Sequence, residues 1–416
     1  MHGIDCFYKV KNKLRLHYHG IDLSHVMIFE LFETVSKKKA VSKSAIKYSL
    51  FHCFDMSAMA LPNNGLLTTF GRQNRKDHKE VYDYVWRRIH DFATYNDMNA
   101  MSDIRCFHPA LIVIVISKVF VSLFFEKKMT FKEKAMLAAD AVYYCNTIKS
   151  LETVNISGVK AYLSMYNATQ LENLITQYIK KRGIPTYSLC EGVYFVEKDK
   201  LNIDSVNYTN LETDHLITWG QSVVDDFSEV GIPATRMIVG GYPHEMCLRP
   251  MRKELSMKKG LILLARRTYH EANEKLLSIL KDTEWDYEIK CHPASDINHY
   301  SKIAEKYHWR IVPSQETVSN CLASADYDFA IAVNTTAYYE ALMRGIPCLR
   351  FCDGSFTLQH GIESDAFSSL PEYMEAMTTL KSTIQTDEHQ QQVNTILQYV
   401  MGVGIDNYRT ILSMAF

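Results

Sequence analysis

Neither a G-x-x-x-x-G-K-[ST] phosphate loop nor a G-x-G-x-x-G fingerprint occurs in the 416 residues, which argues against a P-loop nucleotidase and a dinucleotide oxidoreductase. The ten cysteines form no Cys-x-x-Cys pair, and Cys190, Cys291 and Cys348 stand in apolar, strand-like surroundings. Reduced, buried thiols in a cytoplasmic protein are expected, rather than disulfides or zinc ligands. A formal charge of −1 gives no overall drive toward nucleic acid, and no nucleic-acid partner is expected. Met1–Val10 mixes His, Asp and Lys, so no signal peptide is read there. The longest apolar segment, Ala110–Phe125, is interrupted by Lys118 and is too short to span a bilayer comfortably. It reads as a buried strand or helix, with a peripheral contact at the inner membrane as the other reading. There is no internal repeat and no low-complexity tract.

What is present is globular: 47% hydrophobic and 22% charged residues. The length calls for two domains of roughly 150–250 residues each. The first 105 residues say least. Their clearest punctuation is Leu61-Pro62-Asn63-Asn64-Gly65, followed by helical spacing over Glu80–Tyr95 with Arg87 and Arg88 on a solvated face. Thr130–Glu133 has the spelling of a capping box and opens a helix to about Ile148. Val159–Ser164, Thr169–Lys181 and Thr186–Cys190 then read as strand, helix and strand, a unit that implies a parallel sheet. Glu191 stands at the carboxyl end of that last strand, the edge where open α/β sheets bind ligands. It is either a general base or a loop residue that caps a helix or faces solvent. A further strand (His215–Gly220), a helix from Gln221 and Met237–Pro243 complete the first half, with Gly240-Gly241 marking a close backbone approach or an unusual φ. The chain divides into 1–245, a linker 246–259, a second domain 260–385 and terminal helices 386–416.

The second half repeats one theme: polar residues just beyond short apolar strands. Arg266 and Arg267 follow Leu261–Ala265, and their guanidinium forks suit a phosphate unless they are plain surface charges. His292-Pro293 follows Tyr287–Cys291, with Pro293 holding the preceding backbone extended. Asn334-Thr335-Thr336 follows Tyr327–Val333 and leads into a helix that Gly345-Ile346-Pro347 stops before Cys348–Phe351. The two threonines either cap that helix or, with the free N–H groups at its start, receive an anion. Glu340, one turn further in, suits a ribose diol. Asp326-Tyr327-Asp328 spells a metal-binding pair but leads into a strand instead of ending one, so it is read as structural; no metal and no cofactor are expected.

The pattern of a strand, small hydroxyl residues, Ala337-x-x-Glu340-Ala341-Leu342-x-x-Gly345-Ile346-Pro347 and a second strand resembles the nucleotide-binding segment of GT-B glycosyltransferases. It is similar especially to bacterial enzymes that build capsule and other surface glycans. His292-Pro293 resembles the motif shared by sialyl-, Kdo- and glycerophosphate-transferases. The resemblance covers about Val159–Phe351. It implies two Rossmann-like domains facing across a cleft, a nucleotide-sugar donor (a CMP-sugar favoured) held by the second domain, and a glycan or lipid-linked acceptor held by the first. It implies donor contacts from Arg266, Arg267, His292, Thr335, Thr336 and Glu340, and terminal helices that cross back onto the first domain. Similar enzymes often carry His-Gly where this chain has Glu191-Gly192, so the base is expected to be Glu191, with Asp225, Asp226, His244 and Glu245 next in line. A glycerol- or ribitol-phosphate transferase, a nucleotide-sugar 2-epimerase and a non-catalytic glycan-binding relative are the rival readings.

Overall fold

The structure is a computed structural model. It describes residues 2–36, 40–71, 75–168, 170–194, 196, 209–245, 248–251, 258–324 and 327–415. Two parallel sheets dominate it. The first contains β1 (Gly65–Phe70), β2 (Ala93–Asp97), β3 (Val159–Ser164), β4 (Thr186–Leu189), β5 (His215–Thr218) and β6 (Met237–Val239) in the order β6-β5-β4-β3-β1-β2. The second contains β7 (Lys259–Leu263), β8 (Asp286–Lys290), β9 (Arg310–Ile311), β10 (Phe329–Ala332), β11 (Cys348–Phe351) and β12 (Ala366–Phe367) in the order β9-β8-β7-β10-β11-β12. Strand order reverses once in each sheet, between β1 and β3 and between β7 and β10. Such a reversal opens a crevice at the carboxyl ends of the strands, because the two flanking connections leave in opposite directions.

The central strands are buried on both faces, which is why β1, β4 and β10 carry no charge, and the one charge in β11, Arg350, is paired with Asp365 at 2.5 Å. β1 is the instructive one. Its sequence Gly-Leu-Leu-Thr-Thr-Phe is wholly buried, and its polar groups are satisfied inside the sheet. Thr69 Oγ1 donates to Glu172 Oε1 at 2.9 Å and lies 2.7 Å from the Tyr162 hydroxyl. Glu172 also accepts from the N–H groups of Met165 and Tyr166, both at 3.0 Å, fixing the loop that follows β3 beside the first reversal point. Burial pushes this carboxyl up to about 7, opposed by those three hydrogen bonds.

The predicted helix Glu80–Tyr95 is in fact a helix Lys76–Ile89 followed by β2. Ala93–Asp97 is extended because it pairs with Leu66–Phe70, a partner that local spacing cannot reveal. Arg88 is not simply solvated either. It stacks 3.4 Å from the Tyr84 ring centroid and pairs with Asp406 at 2.6 Å, while Arg87 remains exposed beside Glu245.

Helices His2–Lys13, Ile28–Val35, Lys43–Phe51, Pro109–Ser122 and Phe131–Glu152 contribute to a second apolar core around Phe7, Leu31, Val119 and Leu137. The capping box of Thr130 and Glu133 forms as read and is worth about 1 kcal/mol. The segment Ala110–Phe125 is helical over Pro109–Ser122 but buries only one face, through Leu111, Val115 and Val119.

The C-terminal helices Asp387–Met401 and Tyr408–Ser413 touch a helix and loops around the first sheet. Tyr399 donates to Asp225 at 2.9 Å, Tyr408 donates to the carbonyl of Gly241 at 2.7 Å, and Arg409 pairs with Asp91 at 2.6 Å. Gly241 has φ +102°, and a Cβ there would lie 1.8 Å from the Ile405 carbonyl oxygen, so both the conformation and the close approach require glycine.

Candidate active site

Three adjacent strands bring the second domain's polar residues to one edge. Leu263 is in register with Lys290 on one side and Ala332 on the other, and neighbouring strands lie about 4.8 Å apart. Arg266, His292 and Thr335 therefore leave the sheet within two or three residues of a single row. The Ser295 hydroxyl bonds the Ala265 carbonyl at 3.2 Å, fastening the His292 loop to the Arg266 loop.

His292 has a defined protonation state. The N–H of Ala294 donates to its Nδ1 at 3.0 Å, so Nδ1 is an acceptor and the ring proton sits on Nε2. Burial, then the positive charges of Arg266 and Arg75, lower its pKa to about 4, with Asp77 opposing. At neutral pH it is an uncharged Nε2–H donor beside cations, an arrangement that accepts a phosphate readily.

The Thr-Thr turn is shaped by Asn334, which sits in the left-handed region at φ +40° and is buried. Its amide donates to the Tyr269 hydroxyl and the Thr357 carbonyl, both at 3.2 Å, and accepts from the Gln359 N–H at 3.0 Å. These three bonds offset the strain of a non-glycine residue at positive φ. Thr336 is the N-cap but makes no side-chain capping bond, and Thr335 Oγ1 receives only a long one of 3.4 Å from Ala337. Capping thus accounts for little of the pair. The backbone N–H groups of Thr335 and Thr336 have no hydrogen-bond partner among the described residues. The helix Ala337–Met343 has seven residues, so these local donors matter more than its dipole.

The facing wall comes from the first domain. Arg75 and Asp77 lie in the segment leading from β1 into its following helix, and both reach His292 electrostatically. Burial acts to raise the Asp77 pKa, but its hydrogen bond and charge pairing with Arg75 hold it below the ordinary value. Glu340 stands where the walls meet. Burial pushes its carboxyl up to about 7; Arg344 opposes this, and the like charges of Glu80 and Asp77 add to it. Beyond β6, His244 lies within an aromatic group, 6.1 Å from Trp219 and 4.9 Å from Tyr242 between ring centroids. Burial lowers its pKa while Asp77 opposes, so it is a neutral imidazole next to a carboxylate.

The other expected residues are placed differently. Arg267 opens a short 3₁₀ turn and points to solvent, because the backbone turns between the two arginines. Glu191 is half-buried after β4 and accepts a hydrogen bond from the Tyr194 hydroxyl. Its loop is fixed by Trp219, which donates to the Cys190 carbonyl at 2.9 Å, and by Tyr194 stacking on Phe227 at 5.5 Å. Asp225 bonds Gln221 and Tyr399, Asp226 bonds His360 at 3.0 Å, and Glu245 is exposed beside Arg87. Asp326 lies outside the described residues, whereas Asp328 accepts from the N–H groups of Lys258 and Lys259 at 2.9 and 3.0 Å, a structural role. Among the described residues, one group has metal-ligand spacing: His270, Glu274 and His299, on the helices flanking β7 and β8, with ligand atoms within 4.8 Å of one another. Arg75, Asp77, Glu80 and Tyr242 were not foreseen as wall residues. The signal for the first three was a charged cluster directly after an apolar run, hidden because β1 was not recognised as a strand.

Two parallel six-stranded units facing across this cleft define the GT-B fold. Among solved structures, the apo form of the lipopolysaccharide outer core galactosyltransferase WaaB is similar over 84% of this chain and 98% of its own, at 12% identity and a TM-score of 0.50. Weaker likenesses include the UDP-GlcNAc 2-epimerase of Neisseria meningitidis bound to UDP-GlcNAc (11% identity, TM-score 0.44, 84% of this chain and 99% of that one). MurG of Acinetobacter baumannii is another (11% identity, TM-score 0.39, 85% and 99%). No protein family and no curated protein matches the sequence.

Proposed function

We propose that the protein is a metal-independent glycosyltransferase that moves a sugar from a nucleotide-activated donor, a CMP-sugar being favoured, onto a bacterial surface glycan or its lipid-linked precursor. The observation that carries this reading is the neutral His292 beside Arg266, on the row that also presents the Thr335 and Thr336 N–H groups, facing a charged wall from the other domain. These groups supply what a departing nucleotide phosphate needs: a cation, fixed N–H donors and hydroxyls, held in place before reaction. Arg266 replaces a divalent cation at the phosphate, and Arg267, from its exposed turn, serves an outer phosphate oxygen. Glu191 takes the proton of the acceptor hydroxyl, which arrives from the first domain opposite the leaving group and so gives inversion. His244 is the second candidate for that proton, favoured by its place beside Asp77, which also reaches His292. The described cysteines are all free thiols, which supports a reducing, cytoplasmic setting. Incubation with CMP-, CDP-, UDP- and GDP-linked sugars in EDTA is expected to release nucleotide from one donor only. An absolute requirement for Mn²⁺ or Mg²⁺ contradicts metal independence, and release from none contradicts the whole reading.

Glu340 gives this reading a pH signature. An ionised carboxylate accepts from both hydroxyls of a ribose diol, and the protonated acid loses part of that capacity. Since Glu340 is raised to about 7, nucleotide affinity is expected to climb as pH rises from 6 to 8, by roughly tenfold at most. Glu340→Gln flattens the climb. A titration of nucleotide affinity across that range checks it, and an identical profile in the variant removes Glu340 from the ribose.

A further inference from the structure

Large apolar side chains are exposed unevenly over this molecule. Of the twelve that are well exposed among the described residues, eight lie between Ile104 and Phe131. The most prominent are Phe107, Val113, Val121, Phe124, Phe125 and Phe131, with Phe124 72%, Phe125 78% and Phe131 75% exposed. The helix Pro109–Ser122 is apolar on both sides. Its inner side packs on the core, and its outer side, with the turn that follows it, has no cover among the described residues.

The exposed charges among these apolar residues are cations, and the acids at the two edges, Asp103 and Glu133, are taken up by hydrogen bonds to Tyr48 and Tyr143 and to the Thr130 N–H. Arg105, Lys118, Lys127, Lys128 and Lys132 are exposed around the apolar residues. The one acid between positions 104 and 132 is Glu126, which is buried and bonded by Lys13 at 3.3 Å. Apolar side chains ringed by cations match the interface of an anionic bilayer: rings enter the acyl boundary while lysines meet lipid phosphates. A second copy of this chain fits poorly, since it would bring five cations against five. No described helix is long and apolar enough to cross a membrane, so the contact is with the surface.

We infer that this face docks the enzyme on an anionic lipid bilayer. The inference deepens the reading above, in which the acceptor is lipid-linked, and a chain of contacts relates the face to the acceptor side. Glu126 is held by Lys13. Two residues earlier on the same helix, Lys11 bonds the Thr209 carbonyl and the Asn210 side chain, each at 3.3 Å. Asn210 in turn donates to the carbonyl of Ala168, in the loop beyond β3. The turn at Glu126, at one end of the docking face, is thus tied through the first helix to the loop beyond β3 in the domain that would receive the acceptor.

The test is co-sedimentation of the full chain with vesicles of phosphatidylcholine alone and of equal parts phosphatidylcholine and phosphatidylglycerol. Binding to the anionic vesicles only is expected, weakened by salt. F124S/F125S and K127E/K128E/K132E should each lower that binding by about tenfold or more. Both sets of side chains are exposed, and retained nucleotide affinity shows that the variants are folded. Equal binding by wild type and both variants, or no binding at all, overturns the inference. So does a concentration-dependent dimer that F124S/F125S abolishes. Failure to bind vesicles leaves nucleotide release intact, whereas failure of the glycosyltransferase reading abolishes release and leaves vesicle binding, so the two are distinguishable.

Discussion

His292→Ala is expected to weaken nucleotide binding and to lower turnover together. The proposed bond runs from Nε2–H to a phosphate oxygen, and a hydrogen bond to a charged partner is worth about 1.5–3 kcal/mol, or roughly ten- to a hundredfold in affinity. Charge grows on that oxygen as the sugar departs, so kcat falls further still. The direction of the proton makes the prediction specific. Ala294 occupies Nδ1 and burial beside Arg266 and Arg75 keeps the ring neutral, so the side chain acts as a donor from one fixed atom. His292→Gln places an amide N–H near the same point and should recover part of the loss, whereas His292→Phe should not. Binding measured by calorimetry alongside turnover separates the two effects. Loss of turnover with unchanged affinity would place His292 away from the phosphate.

Glu191→Gln keeps the shape and removes the proton acceptor, so kcat is expected to fall by about 10²–10⁴ with nucleotide affinity nearly unchanged. The Tyr194 hydroxyl bonds the carboxylate and can bond the amide oxygen equally, so the loop should stay in place. The companion variant is His244→Gln. If Glu191 is the base, this change costs little beyond packing against Trp219 and Tyr242. Near-normal turnover in Glu191→Gln together with a large loss in His244→Gln would transfer the role to the imidazole beside Asp77. The activity would then decline with falling pH from a midpoint below the ordinary histidine value, because burial depresses that group.

The two halves of the chain differ in how much their sequence reveals. Strands β4 and β10 carry no charge, and β3, β7 and β11 carry one each in otherwise apolar runs. Buried parallel strands leave that mark because both faces largely exclude charge, while β8 was legible from its alternation and the His-Pro that ends it. The residues beyond their carboxyl ends could then be named in advance. β1 carried the same mark but stood alone, without a recognisable helix and return strand. The charge-rich helix after it and the short β2 were read as one element. With β1 unrecognised, its carboxyl-end segment could not be seen as a wall, and Arg75, Asp77 and Glu80 went unnoticed. Arg267 shows the opposite limit: adjacent arginines look equivalent in sequence, yet one backbone turn sends the second to solvent. Exposure on the helix Pro109–Ser122 was legible only as the second of two readings, since a mainly apolar helix implies burial unless something outside the chain supplies the cover.

The most direct measurement of the central claim is a calorimetric titration of the wild-type protein and Arg266→Ala with CMP, CDP, UDP and GDP in the absence of metal. The account predicts saturable one-to-one binding of one nucleotide to the wild type, and at least a tenfold loss in Arg266→Ala, whose guanidinium stands beside His292 at the shared strand edge. Absence of binding by all four nucleotides, or equal binding by the variant, would contradict it.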